Sequence, residues 1–241
     1  MRALFHGIAG ACLMLTGCAS APGTQPHDMS AAQHQAMAQG EEQSAAAHAA
    51  QLNPAAPTDR RGCGGAARSA RSVDVEVCWT STVNPTATHL AELERHRKLA
   101  AAHRAASQTL KGAEAGACAG LSENDRDMSP FAHRGDISSV ELAVATAVSP
   151  KSIPQTRGAI IVFRAMPGMT AQWLQRLVDC HLARNAALGH DVAEMAYCPL
   201  VPKDVAARVM PRDAGFAVEV TSSDPATVQE IVRRAQALAD R

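Results

Sequence analysis

Apolar positions recur with different periods along this chain, and the changes of period mark out its elements. From Ala159 to Phe163 the run Ala-Ile-Ile-Val-Phe is apolar at every position. That predicts a strand inside a sheet rather than at its edge. A turn at Pro167-Gly168 follows. Thr170 then caps a helix reaching to about Leu188, with Leu174, Leu177, Val178, His181, Leu182 and Leu188 as its inner stripe and Gly189 as its stop. Ala207 to Met210 and Phe216 to Thr221 predict a hairpin. Asp224-Pro225, a capping residue before proline, opens a last helix with Val228, Ile231, Val232 and Ala235 inward.

Upstream the signals are weaker. Ile137 to Val148 alternates, with Val140, Leu142, Val144 and Thr146 on one side, and predicts a strand, although its alanine content also fits a helix. Asn84-Pro85 starts a helix expected to run to Lys111, ended by Gly112. Steps of three and four place His89, Glu92, His96, Leu99, His103, Ala106 and Leu110 on one of its faces. Val73, Val75, Val77 and Trp79 alternate as in a half-buried strand, either an edge strand or one arm of a hairpin with residues near Cys63. Between Ala19 and Arg71 large aliphatic side chains are nearly absent. Such a segment buries too little apolar area to offset the entropy of ordering it, so residues 19–71 are expected to form a disordered tether, at most transiently helical from Ala31 to Ala50. His27, His34 and His48 then read as solvated spacer residues rather than metal scavengers.

From Gly158 the order strand, helix, strand, strand, helix is most of the split β-α-β-β-α-β pattern. The expected fold is α+β: a two-layer sandwich with a ferredoxin-like β-α-β-β-α core plus an N-terminal helix, in a single domain over residues 72–241. The strand near Val140 would fill the vacant sheet position.

Composition changes this picture little, but the first residues change it a great deal. With a formal net charge of zero, no global field draws the chain to nucleic acid. After Met1-Arg2, the apolar run from Ala3 to Leu15 is too short to span a bilayer and suits a signal segment. Leu15-Thr16-Gly17-Cys18 resembles the lipobox of bacterial lipoproteins. The resemblance implies a signal peptide over residues 1–18, a lipidated (palmitate-bearing) Cys18, and an exported chain. Its acyl chains would hold it to the cell membrane or outer membrane, facing the periplasm or exterior. Ordinary secretory cleavage after Ala19-Ser20-Ala21 is the competing reading. The stretches Ala102 to Ser107 and Asp179 to Ala186 are similar to those in a group of uncharacterised bacterial predicted lipoproteins. That likeness implies a folded domain over roughly Leu90 to Leu238 and transfers no activity.

No G-x-S-x-G, H-E-x-x-H, C-x-x-C or P-loop is present, so no enzyme signature stands out. Five cysteines remain beyond Cys12 and Cys18. Outside the cytoplasm they tend to pair, and an odd number leaves one over. A Cys180–Cys198 disulfide across the loop that follows the helix is favoured over a thiolate metal site, with Cys118 competing as partner for either. The candidate metal ligands are His96, His103, His181 and His190, for Cu or Zn. His89, His96 and His103 are spaced by seven, two turns and roughly 10 Å apart, so no two share one ion. Glu92 lies within helical reach of His89 or His96. For His181, inside an apolar stripe, a satisfied core histidine is the commoner explanation. Met166 and Met169 offer thioethers that suit Cu(I), though methionines more often simply pack. Together these point to a lipid-anchored extracytoplasmic binding module for a soft or borderline metal ion. The alternative is a non-catalytic structural envelope lipoprotein that binds another envelope protein.

Overall fold

The computed structural model describes residues 21–66, 76–145, 154–213 and 215–239. The signal segment, Cys18, and the first residues of the strand expected from Ser72 lie outside them. The apolar run becomes the interior strand its sequence requires. β4 (Thr156–Arg164) is flanked by β3 (Ile137–Val144) on one side and β6 (Gly215–Thr221) on the other, and β5 (Ala206–Arg212) closes the far edge. All three pairings are antiparallel, in the order β3-β4-β6-β5. Two helices, α4 (Ala171–Ala187) and α5 (Pro225–Ala239), join this sheet in one buried cluster. Ala159, Ile161, Phe163, Val218 and Val220 meet Leu174, Leu177, Val178, Ile231, Ala235 and Leu238 in that core. Phe131, fully buried, closes one edge against Phe163.

Local chemistry sets the helix ends. Thr170 Oγ1 accepts from the Trp173 amide at 3.1 Å, and Asp224 Oδ2 accepts from the Thr227 amide at 2.7 Å. Gly189, at φ +76°, stops α4. Gly158 is dictated by close approach instead, because a Cβ there would lie 1.9 Å from the Val220 carbonyl oxygen across the β4–β6 ladder. Gly158→Ala should therefore destabilise the protein by about 2 kcal/mol, measured by urea unfolding, as overpacking forces the strands apart.

A second antiparallel pair, β1 (Thr58–Ala66) and β2 (Glu76–Val83), forms a separate two-stranded sheet tied by a Cys63–Cys78 disulfide. The hairpin with residues around Cys63 is thus the arrangement found, with the exposed Trp79 ring lying over Gly62.

Three expectations need correction. The segment read as a disordered tether holds α1 (Ala31–Gln51), lying along the long helix α2 (Ala87–Ala117). Ser30 and Gln33 cap α1 reciprocally: Ser30 Oγ accepts from the Gln33 amide at 3.1 Å, and Gln33 Oε1 accepts from the Ser30 amide at 2.9 Å. α1 needs no large aliphatics, because Ala31, Ala38 and Ala45 allow close approach to α2 and histidines fill the space between. Second, α2 runs through Gly112 to Ala117, its first turn following Thr86 rather than Pro85. An Arg184–Glu114 ion pair at 3.3 Å and a disulfide at Cys118 hold the extra turn, outweighing the roughly 1 kcal/mol helix penalty of glycine. Third, the disulfide is Cys118–Cys180, tying the end of α2 to α4, and Cys198 is a buried free thiol. Cys198 sits in the core beneath α5, where its carbonyl accepts from Arg234 Nη1 at 3.2 Å, so it does not reach Cys180. A short helix, α3 (Glu123–Asp127), leads from α2 back to the sheet.

Candidate metal centre

The seam between α1 and α2 is built on two matching seven-residue repeats. On α1 the inward positions are Ala31, His34, Ala38, Glu41, Ala45 and His48; on α2 they include His89, Leu93, His96, Ala100, His103, Ser107 and Leu110. Steps of three and four keep each series on one face. The helices run antiparallel, so His34 meets His103, Glu41 meets His96, and His48 meets His89. Alanines and Leu93 lie between these polar layers, which follow one another at roughly 10 Å.

The layer nearest the sandwich is dry. His34 is 0% and His103 4% exposed, and their Nδ1 atoms lie 3.0 Å apart. His34 Nε2 faces the carbonyl oxygens of Gln25, at 3.0 Å, and Pro26, at 3.3 Å, so it carries the proton. In the neutral ring Nδ1 is then the acceptor, and His103 Nδ1–H donates to it. Burial, reinforced by the neighbouring His34, holds the His103 pKa below the usual histidine value.

The outer two layers merge into one cluster. His96 Nδ1 donates to Glu41 Oε2 at 2.5 Å, which leaves the lone pair on Nε2. That Nε2 lies 3.9 Å from Glu92 Oε2, one helical turn back. The His48 ring stacks on the His96 ring with centroids 5.4 Å apart, and His48 Nδ1 shares a proton with His89 Nδ1 at 3.0 Å. One ligand atom from each of His48, Glu92 and His96 falls within 4.8 Å of the others, the one such group among the described residues. Arg95 occupies the cluster's mouth. It donates from Nε to Glu92 Oε2 at 2.8 Å and from Nη2 to His96 Nε2 at 3.1 Å. Its guanidinium is the chief reason the Glu92 carboxyl lies below the usual carboxylate range.

Two imidazoles and a carboxylate suit Zn²⁺ or Cu²⁺. Glu41 on the far nitrogen of His96 supplies the carboxylate–histidine support that fixes the tautomer presenting a free ligand atom. A cation entering here displaces Arg95, whose exposed side chain is free to swing outward.

Of the four histidines singled out from sequence, only His96 belongs to this group. His103 lies one layer away and is committed to His34. His181 is a core histidine, fully buried on α4, with Nε2 3.1 Å from the Asp125 carbonyl oxygen. His190, at φ +64°, donates from Nδ1 to the Val201 carbonyl oxygen at 2.8 Å and pins the loop after α4. Sequence reasoning missed His48 and Glu41. The signal that marks them was present: His34, Glu41 and His48 repeat at the same interval of seven as His89, His96 and His103. Comparison with protein-family models, curated proteins and solved structures finds no match to this chain.

Proposed function

We propose that this protein is a lipid-anchored, extracytoplasmic module that binds a borderline divalent metal ion, Zn²⁺ or Cu²⁺, between α1 and α2. The observation that carries this reading is the convergence of His48, Glu92 and His96, with Glu41 holding the His96 ring from behind. The lipobox-like Leu15 to Cys18 supports the anchor, and the disulfides at Cys63–Cys78 and Cys118–Cys180 fit an oxidising compartment. In this reading the four-stranded sheet with α4 and α5 is the base for the antiparallel α1–α2 pair, a helical hairpin. We read it as a ferredoxin-like core whose last strand is replaced by β3, since β6 lies between β4 and β5 and β3 takes the place beside β4.

The test is metal titration of the full chain, purified without a His tag. One equivalent of Zn²⁺ or Cu²⁺ is expected, released on acidification as protons compete for the ligands. His48→Ala/His96→Ala should abolish stoichiometric uptake, and Glu41→Gln should weaken it about 10- to 100-fold without unfolding the hairpin. Uptake unchanged in the double variant would overturn the assignment. A second reading, a structural or partner-binding envelope lipoprotein, is favoured by edge strand β3, where Leu142 is 49% and Val144 51% exposed. An uncovered apolar edge of this kind suits strand addition by another protein. Under that reading the double histidine variant leaves metal content unaltered.

A further inference from the structure

We infer a second, separate metal site, for Cu(I), in the pocket between the β4–α4 turn and the segment after α3. It does not rest on the hairpin site and shares no residue with it. The pocket holds about 360 Å³. Three thioethers and an imidazole line it: Met128, Met166, Met169 and His133.

Local geometry explains how two of these donors come together. Met166-Pro167-Gly168-Met169 is a turn closed by a hydrogen bond from the Met169 amide to the Met166 carbonyl oxygen at 3.1 Å. Proline second and glycine third, the latter at φ +83°, are the residues a type II turn requires. Such a turn brings its first and last Cα atoms to within about 7 Å, on the rim of the same cavity. Met128 and His133, from the segment after α3, line the same pocket, as does Trp173.

Three further observations point to a soft cation rather than to simple packing. Met128 is 38% and Met166 41% exposed, so neither is needed to fill the core. Among the described residues the charged ones lining the pocket are Asp125 and Asp136, both acidic, with no lysine or arginine beside them. And the cysteines, the usual soft ligands, are withdrawn: Cys63, Cys78, Cys118 and Cys180 are in disulfides and Cys198 is buried. Thioether sulfur is the soft donor that survives in an oxidising compartment, and it favours Cu(I) over Zn²⁺. Methionine carries no proton to lose on binding, so the thioether share of the affinity does not depend on pH.

The test is anaerobic competition for Cu(I) against bicinchoninate, using the full chain without a His tag in a His48→Ala/His96→Ala background. One equivalent of Cu(I) is expected to leave the chelator at pH 7, and a substantial part still at pH 5. Met166→Leu/Met169→Leu, which nearly conserves volume, should weaken uptake at least tenfold while thermal unfolding stays within a few degrees. Met166→Leu alone, at a half-exposed position, provides the same readout should the double variant unfold. X-ray absorption of the loaded protein should show sulfur neighbours at copper. No Cu(I) uptake in the histidine-deficient background, affinity unchanged by the methionine substitutions, or a copper shell of nitrogen and oxygen alone would each overturn the proposal.

Discussion

Replacing Cys118 and Cys180 together with alanine is expected to lower stability by about 4 kcal/mol. The bond closes a loop of sequence separation 62, and constraining a chain of that length in the unfolded state is worth roughly that much on the loop-entropy model. Alanine keeps the buried site apolar, so the loss measures the cross-link rather than a stranded hydroxyl. For a chain of this size about 4 kcal/mol corresponds to a fall in melting temperature of roughly 10 °C. The same bond fastens α2 to α4, so its removal should also raise hydrogen exchange at the sandwich end of α2 before the sheet is affected. A melting temperature within 2 °C of the wild type would show that Cys118 and Cys180 do not pair in solution.

Acidification from pH 7 to pH 5 is expected to destabilise the protein and to release α1 first. The sign follows from two buried histidines. His103 and His181 have pKa values lowered in the fold, mainly by burial. Below the ordinary histidine value of about 6.5 the unfolded chain therefore binds more protons than the folded one. Stability rises with pH in that window and is lost as pH falls through it, by up to about 1.4 kcal/mol per pH unit for each histidine kept neutral. Geometry shows why the proton is unwelcome. His103 donates through Nδ1 to His34 in this dry layer, where a positive charge on the His103 ring would lose its hydration beside the neighbouring imidazole; Glu41, one layer along, is the carboxylate that favours the charged form of His103. In His181, Nε2 is bonded to the Asp125 carbonyl while Nδ1 is buried with no partner among the described residues, so protonation would create an orphaned donor beside Arg184, with Asp127 opposing. Glu230, held at about 2 by Arg233 and Arg234, stays ionised throughout and contributes nothing to this window. Urea unfolding at the two pH values is the measurement. Equal stability at both, or greater stability at pH 5, would refute the account.

What was legible in the sequence was local. Thr170, Gly189 and Asp224-Pro225 act within one turn of themselves, and each ends or starts a helix where it was expected to. The uniformly apolar Ala159 to Phe163 implied two flanking strands and has them. The packing of α1 on α2 was illegible for a physical reason. Counting large aliphatics measures how much area a segment can bury against an unspecified surface. α1 buries little area, and docks through alanines and through hydrogen bonds whose other halves lie some 40 to 70 residues away on α2. Only the shared interval of seven links the two halves in sequence. The favoured Cys180–Cys198 pairing gave way to the competing Cys118–Cys180 bond for a similar reason: Cys118 reaches Cys180 only once α2 runs past Gly112, and an ion pair at Glu114 from α4 helps to hold that extension.

The antiparallel course of α1 decides how the molecule carries load. Chain leading in at residue 21 meets the fold at the sandwich end of the hairpin, where His34 Nε2 holds the Gln25 and Pro26 carbonyls and Ser30 lies against Gly189. A pull from that side, perpendicular to the helix, opens the His34–His103 layer first and reaches the His48–Glu92–His96 cluster last. The layers then fail one at a time, as a zip does, rather than together in shear. Tension on the N-terminal chain would thus strip α1 gradually and spare the His48–Glu92–His96 cluster until the helix is nearly free.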